Sequence, residues 1–355
     1  MSQLPDLPDA TTAADGDKLL KRDTSTGTDE GLTVSLLRDE IAGKTAGDLA
    51  QYEDDGSGNA VLDFPDKAAQ RETLGVSNIG FRNKLLNPTG EINQEGYAEG
   101  STMSLADAEY FRDQWRSFGA TSGIQVDADG TFHLGAGEGC EQPIEASLFM
   151  QAGDTFTFSV VDPSADLTIT LLSYDETTGS TSGTISAGTG RQGVTLTIPT
   201  LDADGHVIAR IEDASGGGVT FRLPQFEAGS QATEFDERHI VTESNLCLRY
   251  FERIMPGTQQ VSVATGVFYD QTNAEIMIHY IEKRAAPSFS VSANSDWRVL
   301  GDSGKNDISL SLRASGPKYC SVDATLNSGS SIDGGAATLQ EYNSGSGYLD
   351  FGARL

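Results

Sequence analysis

Apolar and polar residues alternate in short runs along most of the chain after Asn83, and each run is bounded by Gly, Asp, Ser or Pro. In residues 155–161, TFTFSVV, Phe156, Phe158 and Val160 fall on one side and threonine or serine on the other. Four similar runs follow: LTITLLSY, VTLTIPT, HVIARIED and VTFRLPQF. A period of two predicts half-buried strands. Because no helical run separates them, they predict an antiparallel sandwich of the jelly-roll type.

A different period marks residues 243–254, ESNLCLRYFERI. Its apolar positions recur at i, i+3, i+4 and i+7, which predicts a short amphipathic helix with one face to bury. A Pro-Gly pair follows and is expected to end the helix. The apolar face consists of Cys247, Tyr250, Phe251 and Ile254.

A second series of strand-like runs follows this helix. The runs are again short and separated by turn residues, which predicts a smaller C-terminal β-sandwich over residues 257–355. They are QVSVATGVFY, AEIMIHYIE, SFSVSA, DISLSLRAS, KYCSVDATL, ATLQEY and YLDFGARL. The chain is therefore expected to be mainly β, with two sandwiches joined by one short helix.

The first 80 residues predict a small mixed α/β segment. Val34, Leu37 and Ile41 recur at helical spacing before Gly43, and residues 66–75, DKAAQRETLG, predict a second short helix. Between them, YEDDGSGN has the acidic, glycine-rich composition of a linker. Both helices are too short to be stable alone, so they are expected to need packing partners.

The chain is strongly acidic, with 52 Asp and Glu against 24 Lys and Arg, a net charge of −28. Residues 81–240 contain 24 acidic and 8 basic side chains, whereas residues 241–355 are nearly balanced with 12 and 9. Phosphate groups are bound by clustered basic side chains, and no such cluster is visible. The composition therefore disfavours nucleic acid and anionic membrane surfaces as partners.

Membrane insertion and signal-directed export are not expected either. No apolar run has the length of a transmembrane helix, and the opening MSQLPDLPDATTAADGD lacks the basic start and apolar core of a signal peptide. The cysteines Cys140, Cys247 and Cys320 are odd in number and far apart, which does not favour a disulfide framework. Each is predicted to be a small core residue of a protein folded in a reducing cytosol.

Four stretches, in the order 81–97, 110–116, 221–235 and 246–251, together resemble tail-fibre and receptor-binding proteins of tailed bacteriophages. Residues 81–97, FRNKLLNPTGEINQEGY, resemble the opening of the carbohydrate-binding-module-like jelly roll in that family, although Glu95 stands where arginine is usual. Residues 110–116, YFRDQWR, and 221–235, FRLPQFEAGSQATEF, are similar to later parts of the same domain. The family motif that follows, Leu-Cys-x-Arg-Tyr-Tyr/Phe, is matched by Leu246, Cys247, Arg249, Tyr250 and Phe251.

Further stretches extend the resemblance over most of the chain. Residues 283–291, KRAAPSFSV, and the run LDFGARL resemble parts of the family's C-terminal β domain, and DATTAADGDKLLKRD with TVSLLRDEI is similar to its virion-attaching segment. The resemblance implies five parts. They are a virion-attachment segment (1–44), a linker or collar with a short helix (45–80), the jelly roll (81–238), the connecting helix (239–256) and a C-terminal β domain (257–355).

The resemblance also implies a function. It implies a virion protein of the phage tail, assembled in the cytoplasm of a bacterial host and usually a homotrimer. Its N-terminal segment binds other virion proteins, and its outer β domains bind host surface polysaccharide. The predicted helix face of Cys247, Tyr250, Phe251 and Ile254 then lies at the joint between the domains, or at an oligomer contact.

Catalytic chemistry has no clear signature in the sequence. The four histidines, His133, His206, His239 and His279, are dispersed without helical ligand spacing, so no zinc site or cofactor is predicted. A glycosidase needs two carboxylates facing across a sugar, which a linear sequence does not show. Depolymerase fibres usually contain a long repetitive β-helix, and no such repeat is visible. We therefore expect no enzymatic activity.

An Asp-Ala-Asp-Gly sequence occurs twice, in VDADGTF beginning at Val126 and in LDADGHV beginning at Leu201. The carboxylates are candidate calcium ligands, but the further ligands of a complete calcium loop are missing. Asp-Gly between strand-like runs is foremost a hairpin signal. We favour turns over metal sites.

Aromatic residues in polar loops are candidates for sugar contacts, because an aromatic face packs against the C–H side of a sugar while polar groups bind its hydroxyls. Trp297 lies in ANSDWRVLG, and Tyr342 and Tyr348 flank NSGSG. The alternative for each is a structural aromatic residue at a strand end. Trp115, in FRDQWRSF, is predicted to be a core residue.

Three functions remain open. The first is a trimeric adhesin that binds a host surface glycan. The second is a structural virion component, such as a collar, baseplate or head-fibre piece, without receptor binding. The third and least favoured is a glycan depolymerase.

Overall fold

The computed structural model describes residues 51–54, 60–63, 81–146, 149–301, 304–305, 308–342 and 345–355. The chain divides into two units between Ser77 and Asn78. The virion-attachment segment 1–44 and the two helices predicted in the first 80 residues lie outside the described residues.

In the first unit, strands β1 (Gln51–Asp54) and β2 (Ala60–Asp63) form an antiparallel pair. The prediction of a linker in this region did not anticipate them. Four residues per strand are too few to establish an alternating pattern beside the acidic and glycine residues of YEDDGSGN.

The second unit begins with an antiparallel jelly-roll sandwich of two six-stranded sheets. The first sheet has the order β11-β10-β13-β8-β5-β4, and the second has the order β12-β9-β14-β7-β6-β3. The first contains β4 (Tyr110–Arg112), β5 (Trp115–Phe118), β8 (Gly139–Ile144), β10 (Leu167–Ser173), β11 (Ser180–Ile185) and β13 (Val207–Asp213). The second contains β3 (Met103–Leu105), β6 (Thr121–Val126), β7 (Phe132–Leu134), β9 (Thr155–Val161), β12 (Arg191–Thr197) and β14 (Val219–Ala228).

The core between these sheets is built from aromatic and branched side chains. Phe132 stacks on Phe221 with ring centroids 5.4 Å apart, and Trp115 tilts against Phe132 at 5.3 Å. Trp115 is fully buried and donates its indole N–H to the carbonyl of Asn87. The prediction of Trp115 as a core residue is confirmed. Such aromatic contacts add about 1 kcal/mol each beyond burial of their area.

The five runs predicted as jelly-roll strands are confirmed, whereas β11 and the strands between residues 103 and 144 were missed. The clearest case is β8, in which all six residues are buried, including Glu141 and Gln142. Glu141 binds both Arg116 and Arg210 at 2.7 Å. A strand buried on both faces, with charges paired inside the protein, shows no alternating hydrophobic pattern.

The connecting helix α1 covers Ile240–Leu248, and residues 251–254 form strand β15 (Phe251–Ile254). The prediction of one helix over 243–254 was therefore wrong for its second half, residues 249–254, and the apolar face predicted from Cys247, Tyr250, Phe251 and Ile254 is not a single helix face. The chain leaves the helix at Arg249, and β15 then pairs antiparallel with Leu349–Gly352. A partner strand about 100 residues away decided the conformation, and local periodicity does not contain that information.

The C-terminal part is a second sandwich, of a three-stranded and a seven-stranded sheet. The small sheet has the order β15-β24-β18, and the large one has the order β20-β19-β23-β16-β17-β22-β21. The strands are β16 (Ser262–Phe268), β17 (Asn273–His279), β18 (Ser288–Val291), β19 (Trp297–Leu300), β20 (Gly304–Lys305), β21 (Ile308–Ser315), β22 (Tyr319–Leu326), β23 (Ala336–Glu341) and β24 (Leu349–Gly352).

All seven runs predicted for this sandwich contain strands, although β15, β19 and β20 were missed. The core joins the two sheets through Phe351, which lies 4.8 Å from the ring of Tyr280 and 5.5 Å from that of Phe289. Cys140, Cys247 and Cys320 are buried free thiols, as predicted. Burial raises the pKa of the Cys320 thiol to about 11, so it is protonated at neutral pH.

The two sandwiches are joined by side chains of the segment that opens the jelly roll. The amide of Gln94 donates to the carbonyl of Phe251 at 3.0 Å and accepts from the backbone N–H of Arg253 at 3.0 Å. It therefore contacts β15 as a neighbouring strand does. The same amide donates to Asp113 at 2.5 Å, which links it to the jelly-roll core.

A stack around Arg354 completes this joint. Its guanidinium lies 4.1 Å from the ring centroid of Tyr110 and 3.9 Å from that of Phe251, and it binds Glu95 at 2.6 Å. Burial raises the pKa of Glu95, although Arg354 opposes that shift. Glu95 thus pairs with a basic residue from the C-terminal sandwich.

Phe251→Asp is expected to lower the free energy of unfolding by about 3–5 kcal/mol, because it removes a buried ring and places a carboxylate in its site. The conservative Phe251→Leu is expected to cost about 1 kcal/mol. Urea denaturation followed by tryptophan fluorescence measures both. Equal unfolding midpoints for Phe251→Asp and the unmodified protein would contradict the packing described here.

Candidate functional site

The aromatic residues selected from polar loops do not form an open sugar platform. Trp297 is 0% exposed and its indole N–H donates to the hydroxyl of Ser292. Its selection as a glycan contact was wrong, because it is the first residue of β19 and its side chain fills the core beneath the loop. Tyr342 and Tyr348 are half-buried, and each ring is covered by an arginine.

Those arginines determine what the two tyrosines can contact. Arg298 lies 4.3 Å from the ring centroid of Tyr342, and Arg253 lies 4.0 Å from that of Tyr348. One face of each ring is therefore occupied by a cation that belongs to the C-terminal sandwich. Both tyrosines lie near Trp297. The backbone N–H of Tyr342 donates to the carbonyl of Asp296 at 2.7 Å. The backbone N–H of Tyr348 donates to the hydroxyl of Ser292, which also accepts from the indole of Trp297.

The Asp-Ala-Asp-Gly sequences are turns, as favoured. In the first, the N–H of Gly130 donates to the carbonyl of Asp127, and the turn joins β6 to β7 as a hairpin. The second contains the equivalent bond from Gly205 to Asp202, but it connects β12 to β13 in the opposite sheet. In the part of the chain that the structure describes, no three His, Cys, Asp or Glu side chains converge as a metal-binding group.

A groove of about 320 Å³ lies where the opening segment of the jelly roll meets the connecting helix. Its volume is at the lower end of the range for ligand sites. Three parts of the chain form it: the opening segment, the end of β8 with the turn after it, and α1 with its flanks. The lining residues are Phe81, Asn83, Lys84, Leu86, Gln142, Pro143, Ile144, Glu145, Phe149, Arg238, Leu246, Arg249 and Tyr250.

Hydrogen bonds fix the floor of the groove. The side-chain amide of Gln142 accepts from the N–H of Leu86 at 2.6 Å and donates to its carbonyl at 2.8 Å. Asn83 accepts from the N–H groups of Leu85 and Phe226, both at 3.0 Å. The opening segment has no strand of its own, so these amides hold its backbone against the sandwich.

Two phenylalanines on the rim are unusually exposed, Phe81 by 55% and Phe149 by 43%. Lys84 connects them: its ammonium group donates to the carbonyl of Phe81 at 2.9 Å and lies 4.9 Å from the ring centroid of Phe149. Exposed rings beside hydrogen-bonding groups can pack against the C–H face of a sugar. Exposed apolar clusters of this kind mark contact sites.

Glu145 is the electrostatic centre of the groove. Its carboxylate accepts from Arg249 and Arg284, each at 3.2 Å, and from the hydroxyl of Tyr250 at 3.0 Å. Burial tends to raise the pKa of Glu145, but Arg249, Tyr250 and Arg284 together lower it below the ordinary value. Burial and Glu145 raise the pKa of Tyr250, so the phenol keeps its proton. Glu145 and Tyr250 therefore place a hydrogen-bond acceptor and a hydrogen-bond donor on the same wall of the groove.

Sequence reasoning missed the phenylalanines that form this rim. It looked for tryptophan and tyrosine in polar loops, whereas Phe81 is the first residue of the opening motif and Phe149 lies in the turn after β8. The available signal was that both phenylalanines lie outside the predicted strands. The predicted contact residue Tyr250 does line the groove, and its hydroxyl reaches Glu145.

The chain is similar to solved structures at low sequence identity. No protein-family model matches it, and no curated protein matches it. Among solved structures it is similar to recombinant discoidin II of Dictyostelium discoideum, at 10% identity over 74% of this chain and 88% of that one, with a TM-score of 0.19. A mutant of Bacillus subtilis oxalate decarboxylase is 8% identical over 86% and 88%, with a TM-score of 0.12. Likenesses at these scores carry no argument about function.

Within the described residues, no helix has both the length and the apolar character needed to cross a bilayer.

Glu145→Gln is expected to lower the free energy of unfolding by about 1–2 kcal/mol at pH 7, because two arginines lose their shared carboxylate. A lowered pKa means that this stabilisation is present above the ordinary carboxyl range and is lost as pH falls through the folded-state pKa. The difference in free energy of unfolding between Glu145→Gln and the unmodified protein should therefore become smaller below about pH 4.

Denaturation of both proteins at pH 7 and at acidic pH measures this effect. Glu282→Gln is the matched control, because Glu282 pairs with Lys318 at an exposed surface and should change stability little. A difference for Glu145→Gln that is equally large in acid would show that the ion pairs are not its cause.

Proposed function

We propose that this chain is a subunit of a bacteriophage tail fibre or spike, a virion structural protein that binds a host surface glycan and has no enzymatic activity. The observation that carries the proposal is the groove on the jelly roll, with exposed Phe81 and Phe149 beside polar groups. The ordered motifs that resemble phage receptor-binding proteins support the phage assignment. The fold alone does not identify a ligand.

The groove suits a weak sugar-binding site. Its volume is small, its rim carries two aromatic rings, and Glu145, Tyr250 and Lys84 supply acceptor and donor groups. One such site binds a sugar weakly, because little area is buried and the hydroxyls exchange water for protein partners. As a homotrimer, attached to other virion proteins through residues 1–44, the fibre gains avidity of about 100-fold or more on a repetitive polysaccharide.

Two alternative functions are a purely structural virion component and a glycan depolymerase. As a purely structural collar, baseplate or head-fibre piece, the chain uses its jelly roll only for packing against other virion proteins. Antibody labelling of the intact particle separates the two, because an adhesin exposes the groove and a buried component does not. A depolymerase releases reducing sugar from host polysaccharide, which a colorimetric assay detects.

Alanine at Phe81 and Phe149 together is expected to reduce binding of the fluorescently labelled protein to host cells by about 10-fold or more, because each ring contributes on the order of 1 kcal/mol of stacking. Cells on which the corresponding phage forms plaques are the substrate. The unlabelled parent protein is expected to block phage adsorption, and the double variant is not.

The matched control is Tyr319→Ala, which removes an aromatic ring of similar exposure from the outer face of the C-terminal sandwich. It should leave cell binding unchanged. If the parent protein neither binds host cells nor blocks adsorption, the adhesin function is refuted. If it binds and the double variant binds equally well, the glycan site lies elsewhere on the chain.

A further inference from the structure

A carboxylate of the jelly roll is buried at the joint between the two sandwiches. Asp113 is the first of the two residues that connect β4 to β5, and it is 0% exposed. A turn between strands ordinarily lies in water, and Asp is seldom fully buried unless it is paired. Gln94 binds both Asp113 and the backbone of β15, so this turn belongs to the joint.

The Asp113 carboxylate receives its hydrogen bonds from one neutral residue. The side-chain amide of Gln94 donates to Oδ2 at 2.5 Å, and the backbone N–H of Gln94 donates to Oδ1 at 3.2 Å. Among the described residues, no basic side chain forms an ion pair with Asp113. A buried carboxylate without a cation costs free energy, because two neutral donors do not replace the water that solvates its charge.

The two arginines that the C-terminal sandwich brings near Asp113 are paired with other carboxylates. Arg253 of β15 binds Asp350 through two bonds of 2.7 Å each. Arg354, which follows β24, binds Glu95 at 2.6 Å. Both arginines favour the ionised form of Asp113 from a distance, whereas the negative charge of Glu95 opposes it. Neither arginine is therefore a dedicated partner of Asp113.

The other titratable groups near Asp113 do not supply a paired cation either. Arg112 precedes it in the chain, but the guanidinium of Arg112 donates to the carbonyls of Phe111 and Val126 in the jelly roll. Cys247 of α1 is a buried thiol, and burial raises the pKa of this thiol, so it stays neutral. When Asp113 is ionised, the joint therefore contains a buried negative charge without an ion-pair partner.

The effect of pH follows from this burial. Burial raises the pKa of Asp113, and the bonds from Gln94 and the charges of Arg354 and Arg253 oppose that shift only in part. When the joint opens, the carboxylate is hydrated and returns to its ordinary pKa of about 4. The closed joint therefore binds the proton more tightly than the open joint does. Acid favours the closed joint as the pH falls through the raised pKa, and this gain is complete below about pH 4.

We propose that the joint is an acid-responsive lock, in which protonation of Asp113 stabilises the closed contact between the two sandwiches and its ionisation at neutral pH lets that contact open more often. Gln94 couples the proton to β15, because its Nε2 group donates both to Asp113 and to the carbonyl of Phe251. Protonation removes the charge and still leaves an oxygen that accepts from Gln94. The lock does not depend on the glycan-binding function proposed above.

The backbone N–H of Arg253 reports directly on opening of the joint. It donates to the side-chain oxygen of Gln94, so it exchanges with solvent when that contact breaks. Hydrogen exchange at this position is measured in the full chain by mass spectrometry with electron-transfer fragmentation, at about pH 7.5 and about pH 4.5. Each variant is compared with the unmodified protein at the same pH, which cancels the intrinsic dependence of exchange on pH.

Asp113→Asn removes the charge and keeps the size of the side chain. At about pH 7.5 it is expected to slow exchange at Arg253 about 10-fold, because the closed joint no longer contains an unpaired charge. At about pH 4.5 the variant and the unmodified protein should differ by less than about twofold. The matched control is Asp107→Asn, the same change at an exposed carboxylate of the jelly roll, which should have no effect at either pH.

Equal exchange at Arg253 in Asp113→Asn and the unmodified protein at about pH 7.5, or an effect of the same size at both pH values, overturns the inference. If Asp113→Asn does not fold, the unmodified protein decides alone. Its protection at Arg253, relative to that at the N–H of Phe226 in β14, should be about 10-fold greater in acid, and a constant ratio refutes the lock. Binding to host cells is a separate measurement that tests only the adhesin function.

Discussion

The two-sandwich unit depends on how β15 is held from both sides. On one side β15 pairs with β24, and on the other the side-chain amide of Gln94 binds its backbone as a strand would. Arg354 then stacks between Tyr110 of the jelly roll and Phe251 of β15. Because these contacts include backbone hydrogen bonds and buried charge pairs, neither sandwich presents a complete surface without the other.

The groove is a consequence of the same joint. Helix α1 precedes β15 in the chain and lies at the end of the jelly roll. The last turn of α1 therefore lies beside the turn that follows β8. Tyr250 and Arg249 enter the groove from the chain that leads into the joint, and Glu145 receives both. A site assembled from residues 81 to 250 is possible only after the jelly roll and the connecting segment have packed together.

Charged side chains are paired differently inside the jelly roll and at the groove. Inside the jelly roll, Glu141 is buried between Arg116 and Arg210, where pairing compensates the cost of removing a charge from water. At the groove, two arginines share one carboxylate at longer distances and remain partly exposed. The first arrangement lies within the core, whereas the second lies partly in solvent.

The sequence alone determined the fold class, the positions of the regularly alternating strands such as β9, and the core role of Trp115, because alternation and side-chain size are local properties of the chain. It did not determine the conformation of residues 251–254 or the burial of Trp297. It also did not show that Phe81, Phe149 and Glu145 line one groove. Only the tertiary structure decided these, because each depends on a strand, loop or helix distant in sequence. Residues 251–254 have a helical pattern of apolar positions, but they form a strand because β24 provides partners for their backbone hydrogen bonds.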